Sequence, residues 1–299
     1  MATADETPPQ EPDQAQPPRK PDADQPPQEP GAEQQSASAG AKGARCYVYG
    51  VVAEAKADPK VGELPAVGGD SGARVGYVRH GGLAAAVSPL PDGGALGAPE
   101  DLRAHTQVLN TLAATGAPVL PFRFGTVFHD RKQVAEDLLA RDHDAFVTAL
   151  QRLSGRAQFT VRAVYDVDAL LRRILAERPD IAEVRASLGG LREQAARYQR
   201  MRLGELMAEA VDARRAGDTA FMTQRLGPLA DALAVSPDPT DDAVADVAFL
   251  ISDDRRAAFE RAVEGLAREW HGRALLRLLG PLAAYDFAAE AMEGAGGAG

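Results

Sequence analysis

Apolar residues along this chain recur with two different periods, and the order of those periods predicts a mixed α+β fold. "CYVYGVV" (46–52) is β-branched and aromatic and predicts a strand; a Gly-, Asp- and Pro-rich loop follows at 56–73. "RVGYV" (74–78) and "LAAAVS" (83–88) predict two short strands joined around "HGG". Pro99 and Glu100 suit the first turn of a helix over about 99–115, with Leu102, Val108, Leu109 and Leu112 on one side and Gly116 as its stop. "VLPFRF" then predicts a strand, and helical spacing resumes at about 130–153 with a break near "RDHD".

The second half repeats the theme with clearer signals. "AQFTVRAVY" (157–165) alternates, with Phe159, Val161, Ala163 and Tyr165 on one face and Gln158, Thr160 and Arg162 on the other. A helix beginning at Asp166 or Asp168 runs to Pro179. Leu188, Leu191, Ala195, Tyr198 and Met201 then recur by threes and fours until "RAGD" is expected to turn the chain. Met222, Leu226, Leu229 and Leu233 continue the pattern, with Gly227–Pro228 predicting a kink. Together these segments predict an antiparallel, coiled-coil-like helical hairpin over about 180–234. Its apolar stripe either is buried between the two helices or receives a cofactor or partner. "VADVAFLI" (244–251), a helix capped by Asp253 or Asp254 with Phe259, Val263, Leu266 and Trp270 in a stripe, and "GRALLRLLG" (272–280) complete a strand–helix–strand order. Such an order is that of a ferredoxin-like split βαβ domain. The expected organisation is two α+β domains with ferredoxin-like elements, 45–154 and 155–288, the second carrying the hairpin.

Composition narrows what can pack. Residues 1–44 form an acidic Pro- and Gln-rich tail whose first forty residues hold no aromatic residue and no Leu, Ile or Val, so disorder is expected there. "EGAGGAG" suggests a second flexible tail at 289–299. The chain carries a formal charge of −10, of which the first forty residues supply −6, leaving a mildly acidic body without the basic excess of a phosphate-tracking surface. No apolar run reaches the ~20 residues that span a bilayer, and no secretory signal pattern is visible, so a cytoplasmic protein binding neither nucleic acid nor lipid membrane is expected.

Chemistry-bearing motifs are sparse. The lone Cys46 excludes an intramolecular disulfide and reads as a small buried hydrophobe. His80, His105, His129, His143 and His271 show no i, i+4 metal pairing. Asp142, His143 and Asp144 would need a distant third ligand, whereas a solvated helix break explains them. The glycines of "GARVGYVRHGG" lack the phosphate-binding spacing and a following helix, and "GGDSG" (68–72) lacks the strand–turn–helix of a nucleophile elbow. The expectation is no enzyme, no cofactor and no metal.

"PVLPFRFGTVF" (118–128) is the unusual stretch, a charged side chain amid three phenylalanines. Extended backbone would point Leu120, Phe122 and Phe124 to one face and Val119, Pro121 and Arg123 to the other. Arg123 then reaches water, pairs with a carboxylate, or holds a loop by hydrogen bonds. Pro121 cannot donate to a ladder, so this strand should lie at an edge or be bulged.

At this stretch the sequence resembles the gas vesicle proteins GvpL/GvpF. The resemblance rests on "YVYGVV", "VLPFRFGTVF", "LSGRAQFTVRAVYD" (153–166), "VAFLISDDRRAAFERAVEGLA" (247–267) and "LLGPLAAYDF" (278–287), in that order. Of the family's proline-rich terminal segment only Gly280, Pro281, Tyr285 and Phe287 remain, and the acidic tail is extra. The resemblance implies a non-enzymatic protein of gas vesicle formation, a minor component or assembly factor contacting the major hydrophobic shell protein and other vesicle accessory proteins. It points to Leu120, Pro121, Phe122, Arg123, Phe124, Gly125 and Thr126, with Gly280, Pro281, Tyr285 and Phe287, as a partner-binding or structural motif. A competing reading is a ferredoxin-like regulatory module binding a small ligand through the glycines around 76–82.

Overall fold

A computed structural model describes residues 45–68, 72–90, 96–190, 192–236 and 243–296. The tail expected at 1–44 and much of "GGDSG" lie outside the described residues.

The first sheet is antiparallel and is built on β1 (Arg45–Ala53), flanked by β3 (Leu83–Leu90), which in turn pairs with β2 (Gly76–His80). Both faces of β1 are buried. Tyr47 and Tyr49 face helix α1 (Pro99–Ala114), while Cys46 and Val48 face the opposite cluster. A register shift between Val48 and Gly50 reverses this alternation, so that Val51 joins the Cys46 side. Gly50 is required there: a Cβ would sit 2.8 Å from the Leu109 side chain and 2.8 Å from the Leu120 carbonyl.

The other flank of β1 carries two fragments, β4 (Leu120–Pro121) and β5 (Val127–Phe128), both antiparallel to it. They are the two ends of one interrupted edge strand, an edge that is bulged where Pro121 predicts it. After β5, α2 (Arg131–Gln133) passes into a π-helical stretch, Val134–Ala140, whose wider turn buries Val134, Leu138 and Leu139 together. Arg141 and Asp142 break the helix before α3 (His143–Leu153), at the expected "RDHD" site.

The second sheet has the order β7 (Ala232–Val235), β8 (Ala243–Ser252), β6 (Arg156–Tyr165), β9 (Ala274–Leu282), all antiparallel. Helices α4 (Val167–Glu177), α5 (Pro179–Ser187) and α6 (Glu193–Leu226) connect β6 to β7, and α7 (Arg256–Glu269) connects β8 to β9. Phe159, Val161, Phe249, Phe259 and Trp270 fill the core between this sheet and its helices. On the sheet's other face, Ala248 and Leu250 join the cluster that contains Val48, Leu120, Phe146 and Phe287, so the two sheets share one continuous apolar core.

Several expectations need correction. "RAGD" does not turn the chain: α6 is one helix of 34 residues running straight through it. Gly217 costs roughly 1 kcal/mol in a helix interior, but Asp218 is buried, accepting hydrogen bonds from the Tyr165 hydroxyl at 2.7 Å and from Arg273 at 3.0 Å. These contacts hold the segment helical against its local preference. The chain instead leaves the helix at Gly227–Pro228 and enters β7, so Leu233 belongs to a strand. Tyr198 and Met201, expected in a packed stripe, are exposed, and Leu191 lies outside the described residues. The helix after β8 starts at Arg256, with no side-chain cap from Asp253 or Asp254. Finally, the expected tail at 289–299 contains α8 (Ala288–Gly296), which packs on α3 and buries Ala291; 297–299 lie outside the described residues.

Candidate functional site

Between β4 and β5 the edge strand leaves the sheet. Leu120 and Pro121 pair with Val51 and Gly50, and Val127 and Phe128 with Tyr47 and Cys46, so five residues on the edge lie opposite two on β1. The surplus forms a loop, 122–126, pinned at both ends by β1: the Phe122 amide donates to the Tyr49 carbonyl at 2.9 Å and the Val48 amide to the Thr126 carbonyl at 3.0 Å. Within it, the Thr126 amide and hydroxyl both donate to the Arg123 carbonyl, at 3.2 and 2.7 Å. Gly125 turns with φ +90°, a left-handed value that favours glycine.

This turn corrects the expected facing. Leu120 and Phe122 share one cluster, where Phe122 meets Phe146 edge-on at 6.2 Å, but Phe124 lies on the opposite side with Val119, against the β1 tyrosines. A strand would have kept all three together; the loop swings Phe124 across.

Phe124 lands on His105, a residue the sequence does not single out. Its ring sits 5.7 Å from those of Phe124 and Tyr49, 5.8 Å from Tyr47 and 6.3 Å from Tyr285. His105 is 2% exposed. The Tyr47 hydroxyl accepts from the Gly125 amide at 3.2 Å and is hydrogen-bonded to His105 Nδ1 at 2.9 Å, the ring tautomer deciding which of the two donates. The Phe122 carbonyl acts electrostatically on the ring, although no described group completes a hydrogen bond to Nε2. Burial drives the imidazole pKa down to about 4, only partly opposed by that carbonyl, so the ring is neutral near pH 7. Burial likewise pushes the Tyr47 phenol up to about 12 and raises that of Tyr285. These groups anchor the loop and do not titrate near neutrality.

A helical reading of α1 could have found His105. Asp101, Ala104, His105, Val108, Leu109 and Leu112 are its buried residues, whereas Leu102, expected among them, is 54% exposed. Asp101 accepts from the Gly68 amide at 2.9 Å and from the Gly97 and Ala98 amides at 3.2 Å each, tying the start of α1 to the preceding loop.

Arg123 occupies the loop's outer side. Its side chain is exposed and makes no hydrogen bond or ion pair with any described residue. Of the three possibilities open from sequence, the structure selects the one that reaches water.

The terminal motif divides. Tyr285 joins the aromatic group around His105, and Phe287 is buried in the cluster that holds Leu120 and Phe122. Gly280 lies elsewhere, with φ +150° and a hypothetical Cβ only 2.5 Å from the Phe159 ring. Pro281 lines a cavity of about 80 Å³ between the end of α1 and Asp253 and Arg256, far below the several hundred Å³ of a metabolite pocket.

The remaining candidates have structural explanations. Gly81 and Gly82, with φ +56° and +84°, form the two-residue turn between β2 and β3. His143 uses both ring nitrogens, on Asp144 and the Gly81 carbonyl, each at 2.9 Å. Among the described residues no group of three or more His, Cys, Asp or Glu side chains could hold a metal ion, and no helix is long and apolar enough to cross a membrane.

A family model described as gas vesicle synthesis protein GvpL/GvpF matches residues 45–289, a span that includes both sheets, the 122–126 loop and the Tyr285 segment. The chain belongs to this family. Gas vesicle protein F of Streptomyces sp. (strain CB03234) is 34% identical over 253 residues, covering 81% of this chain and 98% of that relative. Gas vesicle protein L of the same strain is 37% identical over 129 residues, covering 39% and 46% respectively. The crystal structure of GvpF from Anabaena sp. PCC7120 superposes with a TM-score of 0.63 at 25% identity, covering 82% of this chain and 98% of that one. GvpF from Microcystis aeruginosa, at 23% identity and TM-score 0.62, shares the fold. The chain is thus a gas vesicle protein with mixed helical and antiparallel-sheet architecture.

Proposed function

We propose that this chain is a gas vesicle assembly component of the F type, working by non-covalent contact with other vesicle proteins, the major hydrophobic shell protein among them. Near-complete coverage of an F relative, against under half of an L relative, supports the subtype. In this reading the protein is cytoplasmic, acts at the growing vesicle, and catalyses no reaction.

The observation that carries the contact role is the 122–126 loop. Its backbone is fixed by five hydrogen bonds and two aromatic anchors, while the exposed Arg123 side chain pairs with no described residue. A solvated guanidinium carried on a pinned loop is suited to a carboxylate or backbone carbonyl on a partner, because little loop entropy remains to be lost on binding and only the arginine side chain must still be ordered. The strand order of the second sheet, with helices in the β6–β7 and β8–β9 connections, supports the ferredoxin-like reading of that half.

Capture of the co-expressed major shell protein by the tagged full-length chain tests the proposal. Wild type should retain it and Arg123→Glu should retain several-fold less at unchanged melting temperature. Absence of capture by wild type refutes the contact; equal capture by the variant refutes the part given to Arg123.

A further inference from the structure

Among the described residues, the outer edge of β9 is unpaired in the second sheet. β9 pairs with β6 on one side and ends the strand order on the other. Its central run, 275–279, reads Leu-Leu-Arg-Leu-Leu. Leu275, Arg277 and Leu279 share the face away from the helices, and the two leucines are 58% and 43% exposed. Leu276 and Leu278 point toward the helix-covered core yet remain only half-buried, because the sheet stops beside them. Among the described residues, the backbone of this run hydrogen-bonds only within its ladder with β6. Long apolar edges invite aggregation, and proteins ordinarily shorten, charge or cover them.

The charge on this edge is informative. Arg162, opposite Arg277 in the ladder, is neutralised by Asp246, whereas Arg277 makes no ion pair with any described residue.

We propose that the free edge of β9 accepts an extended segment of another polypeptide as an added strand, one in which apolar residues flank a carboxylate facing Arg277. Ladder hydrogen bonds supply the attachment, the incoming apolar side chains complete the cover of the leucines on both faces, and the cross-strand ion pair sets the register. A second copy of this chain is a poor occupant. Two β9 strands related by a two-fold axis at residue 277 would match leucine to leucine but place Arg277 against Arg277. This surface lies on the second sheet and shares no residue with the 122–126 loop.

The test uses the full chain and a labelled synthetic peptide, Thr-Thr-Val-Val-Glu-Val-Val-Thr-Thr, with a counterpart carrying Lys in place of Glu. By fluorescence anisotropy the Glu peptide should bind about tenfold tighter than the Lys peptide, and Arg277→Glu should invert the preference. Hydrogen exchange of the full chain should slow at 275–279 when the Glu peptide is added. Equal affinities, an uninverted preference, or no peptide-dependent protection there overturns the proposal. Protection that grows with protein concentration alone also overturns it and makes a second copy the occupant.

Discussion

Neutral His105 beneath the loop makes stability depend on pH in a way that can be calculated. The ring is buried, with a folded-state pKa of about 4 against an ordinary value of 6.5. Above pH 6.5 it is neutral whether the chain is folded or not. Between pH 6.5 and 4 only the unfolded chain takes up the proton, so stability falls as pH falls; below 4 both states are protonated and the loss levels off. Each pH unit in that window is worth about 1.4 kcal/mol, so the full loss is about 3 kcal/mol. The perturbation is His105→Asn, which keeps a hydrogen-bonding group near the Nδ1 position for the Tyr47 hydroxyl and cannot titrate. At pH 7 the variant should be less stable, by about 1–2 kcal/mol for lost ring packing. Urea unfolding of both proteins at pH 7, 6, 5 and 4.5 gives the decisive quantity, the wild-type minus variant difference. It should shrink steadily toward acid and change sign near pH 5. His143 titrates the opposite way, since Asp144 raises its pKa and its contribution fades as pH rises, but it is common to both proteins and cancels. Parallel stability curves from pH 7 to 4.5 would refute the burial argument.

Asp218→Ala should cost about 3–5 kcal/mol, because it leaves the Tyr165 hydroxyl and the Arg273 guanidinium without their partner in a largely buried site; a melting-temperature drop under about 5 °C would contradict this. Arg123→Ala should leave stability within about 0.5 kcal/mol of wild type, as expected for an exposed side chain with no partner among the described residues; differential scanning fluorimetry checks it. Gly280→Ala forces a Cβ into the Phe159 ring at a left-handed φ and should cost about 2 kcal/mol or more in equilibrium unfolding. Cys46 is buried and burial pushes its thiol up to about 11, so it should resist iodoacetamide at pH 8 in the native protein and react promptly in urea.

The candidate site was only partly legible in sequence. Pro121 announced an edge or a bulge because a missing amide restricts where a residue can sit in any sheet, and β4 and β5 obey that limit. Phe124 lies off its expected face because alternation holds only while the backbone stays extended. The three-residue surplus that breaks it becomes visible once β1 is laid alongside. His105 could be located by helical spacing, but its partners come from β1, the loop and the chain's last segment, and no local pattern brings those together. Arg123 stands out in sequence as a charge among phenylalanines, but that no described carboxylate pairs with it is decided by the tertiary structure.

Segments whose periodicity is strong and local, such as β6, β8, α4 and α7, were settled by the amino-acid sequence alone, since the same side chains that set the period also form the buried face. The tertiary structure decided the places where local preference is weak or opposed. A buried carboxylate keeps α6 helical through Gly217, pairing with β8 makes Ala232–Val235 a strand, and docking on α3 orders α8. In each case a long-range contact contributes more than the roughly 1 kcal/mol by which the local backbone prefers another shape.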